Sequence, residues 1–140
     1  MTVISVCQLK SGGSSTLALT LASVAAAEGR DVLIVDASRN GDLTRWSDLP
    51  QRPAGITVVP CKSAADIDRS IRAGKGRSQL VVLDVGTKRE RLRVAAGLSD
   101  ISLIPVRFSP LSAYWASETD RMIRRSAAGP RRRPVFVATA

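Results

Sequence analysis

Val3-Ile4-Ser5-Val6-Cys7-Gln8-Leu9-Lys10-Ser11-Gly12-Gly13-Ser14-Ser15-Thr16-Leu17 decides how the rest of this chain is read. A short apolar, β-branched run passes through a glycine turn into residues that open a helix. Strand, tight turn and helix start together form the local architecture that cradles phosphates with backbone N–H groups and the positive helix end. The strict pattern G-x-x-x-x-G-K-[ST] is absent, because no lysine follows the glycines and Lys10 precedes them. The backbone donors of such a loop remain; the lysine that neutralises phosphate charge does not.

Downstream, Leu17, Leu21, Val24 and Ala25 recur at helical spacing, with Ser14 or Ser15 as the expected N-cap and Gly29 as the expected stop. Asp31 to Val35 reads as a second buried strand running into Asp36. Leu43 to Leu49 is a short helix carrying Trp46, and Ile56 to Pro60 a third strand. Ser63 to Ala73 reads as a helix capped by Ser63 with Asp66 three residues on, followed by a basic turn at 74–77. Gln79 to Asp84 is a fourth strand closed by an acid. Lys88 to Leu98 (helix), Ile101 to Val106 (strand), Leu111 to Arg125 (helix) and Pro134 to Thr139 (strand) complete the alternation. This order predicts one α/β domain over residues 1–140, a doubly wound, mostly parallel sheet with helices on both faces, of the P-loop NTPase kind. Ligands of such sheets sit at the carboxyl ends of the strands, where residues 10–15, 36–42 and 84–87 converge.

Composition agrees. A chain of 140 residues that is 44% hydrophobic and 4% aromatic needs an aliphatic core, which suits a parallel sheet covered by helices. Lys and Arg number 21 against 12 Asp and Glu, a net +9 that attracts polyanions or forms a solvated basic face. Cys7 and Cys61 make no C-x-x-C pair and histidine is absent, so zinc lacks its soft ligands and both thiols read as buried residues of a reduced, cytoplasmic protein. Strand-like residues already at the start, and a Gly-Gly-Ser-Ser interruption, argue against a secretory signal. No stretch reaches the roughly 18 apolar residues that cross a bilayer.

The ordered set Gln8-Leu9-Lys10 with Gly12-Gly13 and Ser15-Thr16-Leu17, Val35-Asp36-Ala37 with Gly41-Asp42-Leu43-Thr44-Arg45-Trp46, Val81-Val82-Leu83-Asp84, and Ile104-Pro105-Val106 with Ser109-Pro110-Leu111 resembles the ParA/MinD/Soj family of deviant Walker ATPases. These proteins partition plasmids and chromosomes or position cargo. The resemblance runs from the first strand to about Arg125 and implies ATP and Mg2+ as cofactors. It implies phosphate contacts from Lys10, Gly12, Gly13, Ser14, Ser15 and Thr16, with Lys10 as the lysine that reaches a dimer partner's phosphates. Ser15 or Thr16, together with Asp84, would serve magnesium, and Asp36 and Asp42 are the candidate catalytic acids. The partners implied are nonspecific DNA, a partition-type adaptor protein and a second copy in a nucleotide-dependent homodimer. The arginines 121, 124, 125, 131, 132 and 133 (Arg121, Arg124, Arg125, Arg131, Arg132, Arg133) are the candidate DNA contacts.

The departures are as telling. The loop is about two residues short and lacks the family's phosphate lysine; Ser38 stands where the second acid of D-x-D is usual; Val85-Gly86 replaces a proline-glycine switch. The chain stops where the family normally continues through its adenine-contacting strand and last helices, and its strand-like final segment disfavours a membrane-binding helix. Phosphoryl transfer needs positioned positive charge and an oriented water, so these losses imply slow or absent hydrolysis. The alternative is a catalytically inactive relative that holds DNA or a protein by its basic surface. An iron–sulfur branch is disfavoured because paired cysteines are missing.

Overall fold

A computed structural model describes residues 2–10, 13–125 and 134–139. In chain order it contains β1 (Val3–Val6), α1 (Ser14–Ala27), β2 (Val32–Asp36), α2 (Asp42–Ser47), β3 (Ile56–Pro60), α3 (Ala64–Gly76), β4 (Leu80–Asp84), α4 (Arg89–Leu98), β5 (Ile101–Arg107), α5 (Pro110–Arg124) and β6 (Val135–Thr139). The strands form a six-stranded sheet in the order β3-β2-β4-β1-β5-β6. Every pairing is parallel. The expected strand and helix alternation is thus present, and the sheet is wholly parallel where a mostly parallel one was expected.

Alternate strand residues face opposite layers. On one face Val3, Leu33, Val35, Val81, Leu83 and Ile104 meet Ile67 and Ile71 of α3, Leu92, Ala95 and Ala96 of α4, and Ile123 of α5. On the other, Val6, Val32, Ile34 and Val82 meet Ala18 and Ala22 of α1 and Leu43 of α2. The central strands β2 and β4 are buried at every position, which is why their sequences read as unbroken apolar runs. Register sets Asp36 beside Asp84, and Val6 beside Asp84 on its other flank, so the loops after β1, β2 and β4 share one edge.

Several local expectations change. The centre of the buried face of α1 is Ser14, Ala18 and Ala22; of the expected Leu17, Leu21, Val24 and Ala25, the first two and Ala25 are half-buried against the core beside it, while Val24 is 56% exposed. Small residues at i and i+4 let that helix lie close to the sheet, and the leucines flank the contact. Its N-cap is Gly13 in the left-handed region (φ 92), with no side-chain cap, in place of the expected serine. The serine hydroxyls are used elsewhere, as described below. The supposed basic turn at 74–77 is largely the last turn of α3. A Cβ on Gly74 would lie 2.7 Å from Val81 Cγ2, so the glycine serves close helix-to-sheet approach. The Ser63 cap holds, its Oγ accepting from Asp66 N–H at 3.2 Å.

Candidate functional site

Asp84 ends β4, fully buried beneath the start of α1. Ser14 donates its hydroxyl to Oδ1 at 3.1 Å and Ser15 to Oδ2 at 2.5 Å. Burial pushes the Asp84 carboxyl above its usual range, the two hydroxyls pull it back, and the carboxylates of Asp36 and Asp42 push it up further. The first helical turn of α1 carries no acidic residue and no side-chain cap, which leaves its first N–H groups without a side-chain acceptor. Glycine loop, helix start and strand-end acid therefore meet as the sequence pattern implied.

A cleft of about 250 Å³ lies over this junction, lined by Gln8, Gly13, Ser14, Ser15, Thr16, Ser38, Arg39, Asn40, Asp42, Gly86 and Thr87. Gly86, with φ 74, brings the loop after β4 against the loop after β2, where a Cβ would stand 3.1 Å from Ser38 Cα. Of the phosphate-binding residues expected from sequence, Gly13, Ser14, Ser15 and Thr16 line this cleft; Gly12 lies outside the described residues.

Lys10 does not join them. Its Nζ sits 4.9 Å above the Trp115 ring. It lines a separate cleft of about 540 Å³ formed with Gln8, Leu9, Ile104, Pro105, Arg107, Ser109, Leu111, Ser112, Ala116 and Thr119. Cation–π attraction to tryptophan holds the ammonium over α5.

The two candidate acids differ. Asp36 Oδ1 accepts from Ser38 N–H (3.1 Å) and Ser38 Oγ–H (2.6 Å), and Oδ2 from Thr44 N–H (2.9 Å) and Thr44 Oγ1–H (2.7 Å). Both oxygens are engaged in fastening the 38–44 segment and the first turn of α2. Asp42 lines the cleft and pairs with Arg45 at 2.7 Å, both side chains largely exposed.

The arginines expected to meet DNA sit elsewhere. α5 starts at the carboxyl edge of the sheet and runs back, so its last turn lies toward the opposite edge. There Arg121 pairs with Glu118 (3.1 Å) and Arg124 with Asp120 (2.9 Å), and Arg125 is exposed. Arg131, Arg132 and Arg133 lie outside the described residues. A basic cleft that the sequence reading missed, about 490 Å³, does lie at the carboxyl edge: Arg39, Arg45, Lys62, Lys88 and Arg91 line it. Arg91 fixes it by donating to Ala37 O (2.8 Å) and Lys62 O (2.6 Å). These cations come from α2, α4 and the loops between elements, far apart in the chain, which is why no charge run marked them.

For a metal, no group of three or more His, Cys, Asp and Glu gathers among the described residues. The donor set at the junction is the Ser15 hydroxyl and the buried Asp84 carboxylate. That thin oxygen set suits magnesium, which takes one or two protein oxygens and completes its octahedron with water and phosphate. Among the described residues, no helix is long and apolar enough to cross a membrane.

No protein-family model matches the chain, and no curated protein does. Solved structures do. The MinD cell division protein of Aquifex aeolicus superposes with a TM-score of 0.77 at 18% identity, over 99% of this chain and 68% of that one. A plasmid partition protein from Borrelia burgdorferi gives 0.75 at 14% identity, over 98% and 77%. Cobyrinic acid a,c-diamide synthase from Mycobacterium smegmatis, solved with an ATP analogue and magnesium, gives 0.76 at 17%, over 99% and 73%. The chain shares the fold of these proteins, here an all-parallel six-stranded α/β sheet.

Proposed function

We propose that this chain is a ParA-like, ATP-binding switch whose nucleotide sits with magnesium over Ser14–Thr16 and Asp84, and whose nucleotide state governs self-association and DNA binding in plasmid or chromosome partition. The observation that carries the reading is the pair of Ser14 and Ser15 hydroxyls on buried Asp84 at the uncapped start of α1. That arrangement joins a phosphate-binding helix end to a magnesium-orienting acid. The fold it shares with MinD and with a plasmid partition protein supports the same reading.

In this reading the backbone N–H groups of residues 13–16 hold phosphate oxygens, Ser15 gives its hydroxyl to magnesium, and Asp84 orients the metal's water. Lys10, resting over Trp115 in the single chain, serves a dimer partner's phosphates. Hydrolysis is slow, because Ser38 supplies no carboxylate and Asp36 spends both oxygens on the 38–44 segment. Binding and release, rather than rapid turnover, set the state.

A second reading has its own observation. The loop lysine is absent and Ser14 is turned down onto Asp84, which fits a pseudo-ATPase module that holds DNA or a partner protein through its basic surface regardless of nucleotide. Calorimetric titration with Mg2+-ATP separates them. The switch gives a saturable, magnesium-dependent isotherm that Ser15→Ala weakens about tenfold, the size expected for a lost metal ligand. A flat trace at millimolar ATP would sink the switch and leave the module.

A further inference from the structure

The cleft around Lys10, which Arg107 lines, and the cleft around Ser14–Thr16, which Gly13 lines, share one wall residue, Gln8. Gln8 is only 7% exposed, and its Oε1 is buried without a hydrogen-bond partner among the described residues. A buried carboxamide end left unsatisfied costs about 1–3 kcal/mol, so it marks a place where a ligand atom belongs. The amide's two ends are exchanged by rotation alone, so the same end can present N–H to an oxyanion.

The second observation concerns charge. A Cβ built on Gly13 would lie 3.5 Å from Arg107 Nη2, which places a guanidinium against the uncapped N-terminus of α1. Arg107 ends β5; its backbone N–H is anchored to Ser112 Oγ at 2.9 Å, and its side chain has no carboxylate partner among the described residues. A guanidinium and a helix N-terminus set side by side both favour an anion placed between them. Lys10, committed to Trp115, is not that anion's cation.

We infer that Gln8, the Gly13–Ser14 backbone and Arg107 form a phosphoryl-oxyanion site, with Arg107 delivering from β5 the cation that the glycine loop lacks. The ligand class is a phosphate ester or pyrophosphate, gripped bidentately by the guanidinium fork and by helix N–H groups. The inference deepens the nucleotide reading and rests on it for the identity of the ligand, but the anion site itself is testable without nucleotide.

The test is isothermal titration calorimetry of the whole chain with inorganic pyrophosphate and, separately, with Mg2+-ATP. Arg107→Met is expected to weaken pyrophosphate roughly 10- to 100-fold, the usual weight of a charge-assisted contact, with Arg107→Lys falling between. Arg52→Met, a loss of equal charge at an exposed loop, leaves affinity unchanged. In a parallel measurement on the unmutated chain, phenylglyoxal modification mapped by mass spectrometry should find Arg107 protected by pyrophosphate and Arg52 not, which holds even if Arg107→Met fails to fold. Pyrophosphate binding lost in Arg107→Met, with no ATP binding, would keep the anion site and overturn the nucleotide reading. No pyrophosphate binding, binding indifferent to Arg107→Met, or no protection of Arg107 would overturn the site.

Discussion

Asp84 is a buried carboxylate whose described partners are the hydroxyls of Ser14 and Ser15, an environment that raises its pKa chiefly through burial. A folded-state pKa above the unfolded one means the group favours folding when protonated and loses that contribution as pH rises through the folded value. At neutral pH the ionised form therefore works against stability, a cost that the proposed magnesium role would account for. Asp84→Asn should unfold about 1 kcal/mol harder, roughly 3 °C in melting temperature, while losing magnesium-dependent nucleotide binding. Urea unfolding at pH 7.5 measures it; a variant destabilised by the same amount would make Asp84 a structural anchor. Cys7 behaves by the same sign rule. Burial lifts its thiol to about 11 from 9.0, so the folded chain retains a proton that the unfolded chain gives up. Cys7 should lower stability between pH 9 and pH 11 by up to about 2–3 kcal/mol, a slope that Cys7→Ala reduces to the share left by Cys61, whose thiol burial also raises.

The elements were legible from sequence because parallel strands buried on both faces leave an unbroken apolar signature and because each ends at a polar or glycine boundary. β3 was expected at Ile56 to Pro60 and lies there. Asp36 and Asp84 were readable as strand-end acids for the same reason. The face of α1 was not, since Leu17, Leu19, Leu21 and Val24 surround that helix and only the sheet's proximity selects Ala18 and Ala22. Gly74 likewise looked like punctuation, whereas the close approach of α3 to Val81 and Leu33 requires it. Gly74→Ala should therefore destabilise by about 1–2 kcal/mol despite alanine's higher helix propensity, because Val81 is fully buried and cannot give way. A stabilised variant in thermal unfolding would show that α3 can shift. Arg107, Gln8 and the basic cleft were invisible at this level because each joins residues far apart in the chain.

For the molecule as a whole, which carries a net charge of +9, two places gather cations that could meet DNA: the last turn of α5, where Arg121 and Arg124 are already paired, and the cleft at the carboxyl edge. Exposed intrahelical pairs of this kind contribute little and are readily exchanged for phosphate. Replacing both Arg124 and Arg125 with alanine should lower the salt slope of nonspecific duplex DNA binding by about 2, roughly one per phosphate contact, in filter-binding titrations. A slope unchanged by that replacement would move the DNA contact to Arg39, Lys62 and Lys88. Which surface binds is secondary to whether nucleotide controls it. The direct measurement is duplex DNA affinity of the chain at fixed salt, with Mg2+-ATP, with Mg2+ alone and with ATP plus chelator. A switch requires affinity at least tenfold higher with Mg2+-ATP than in either other condition; equal affinity in all three would contradict it and leave a basic module on a nucleotide-binding fold.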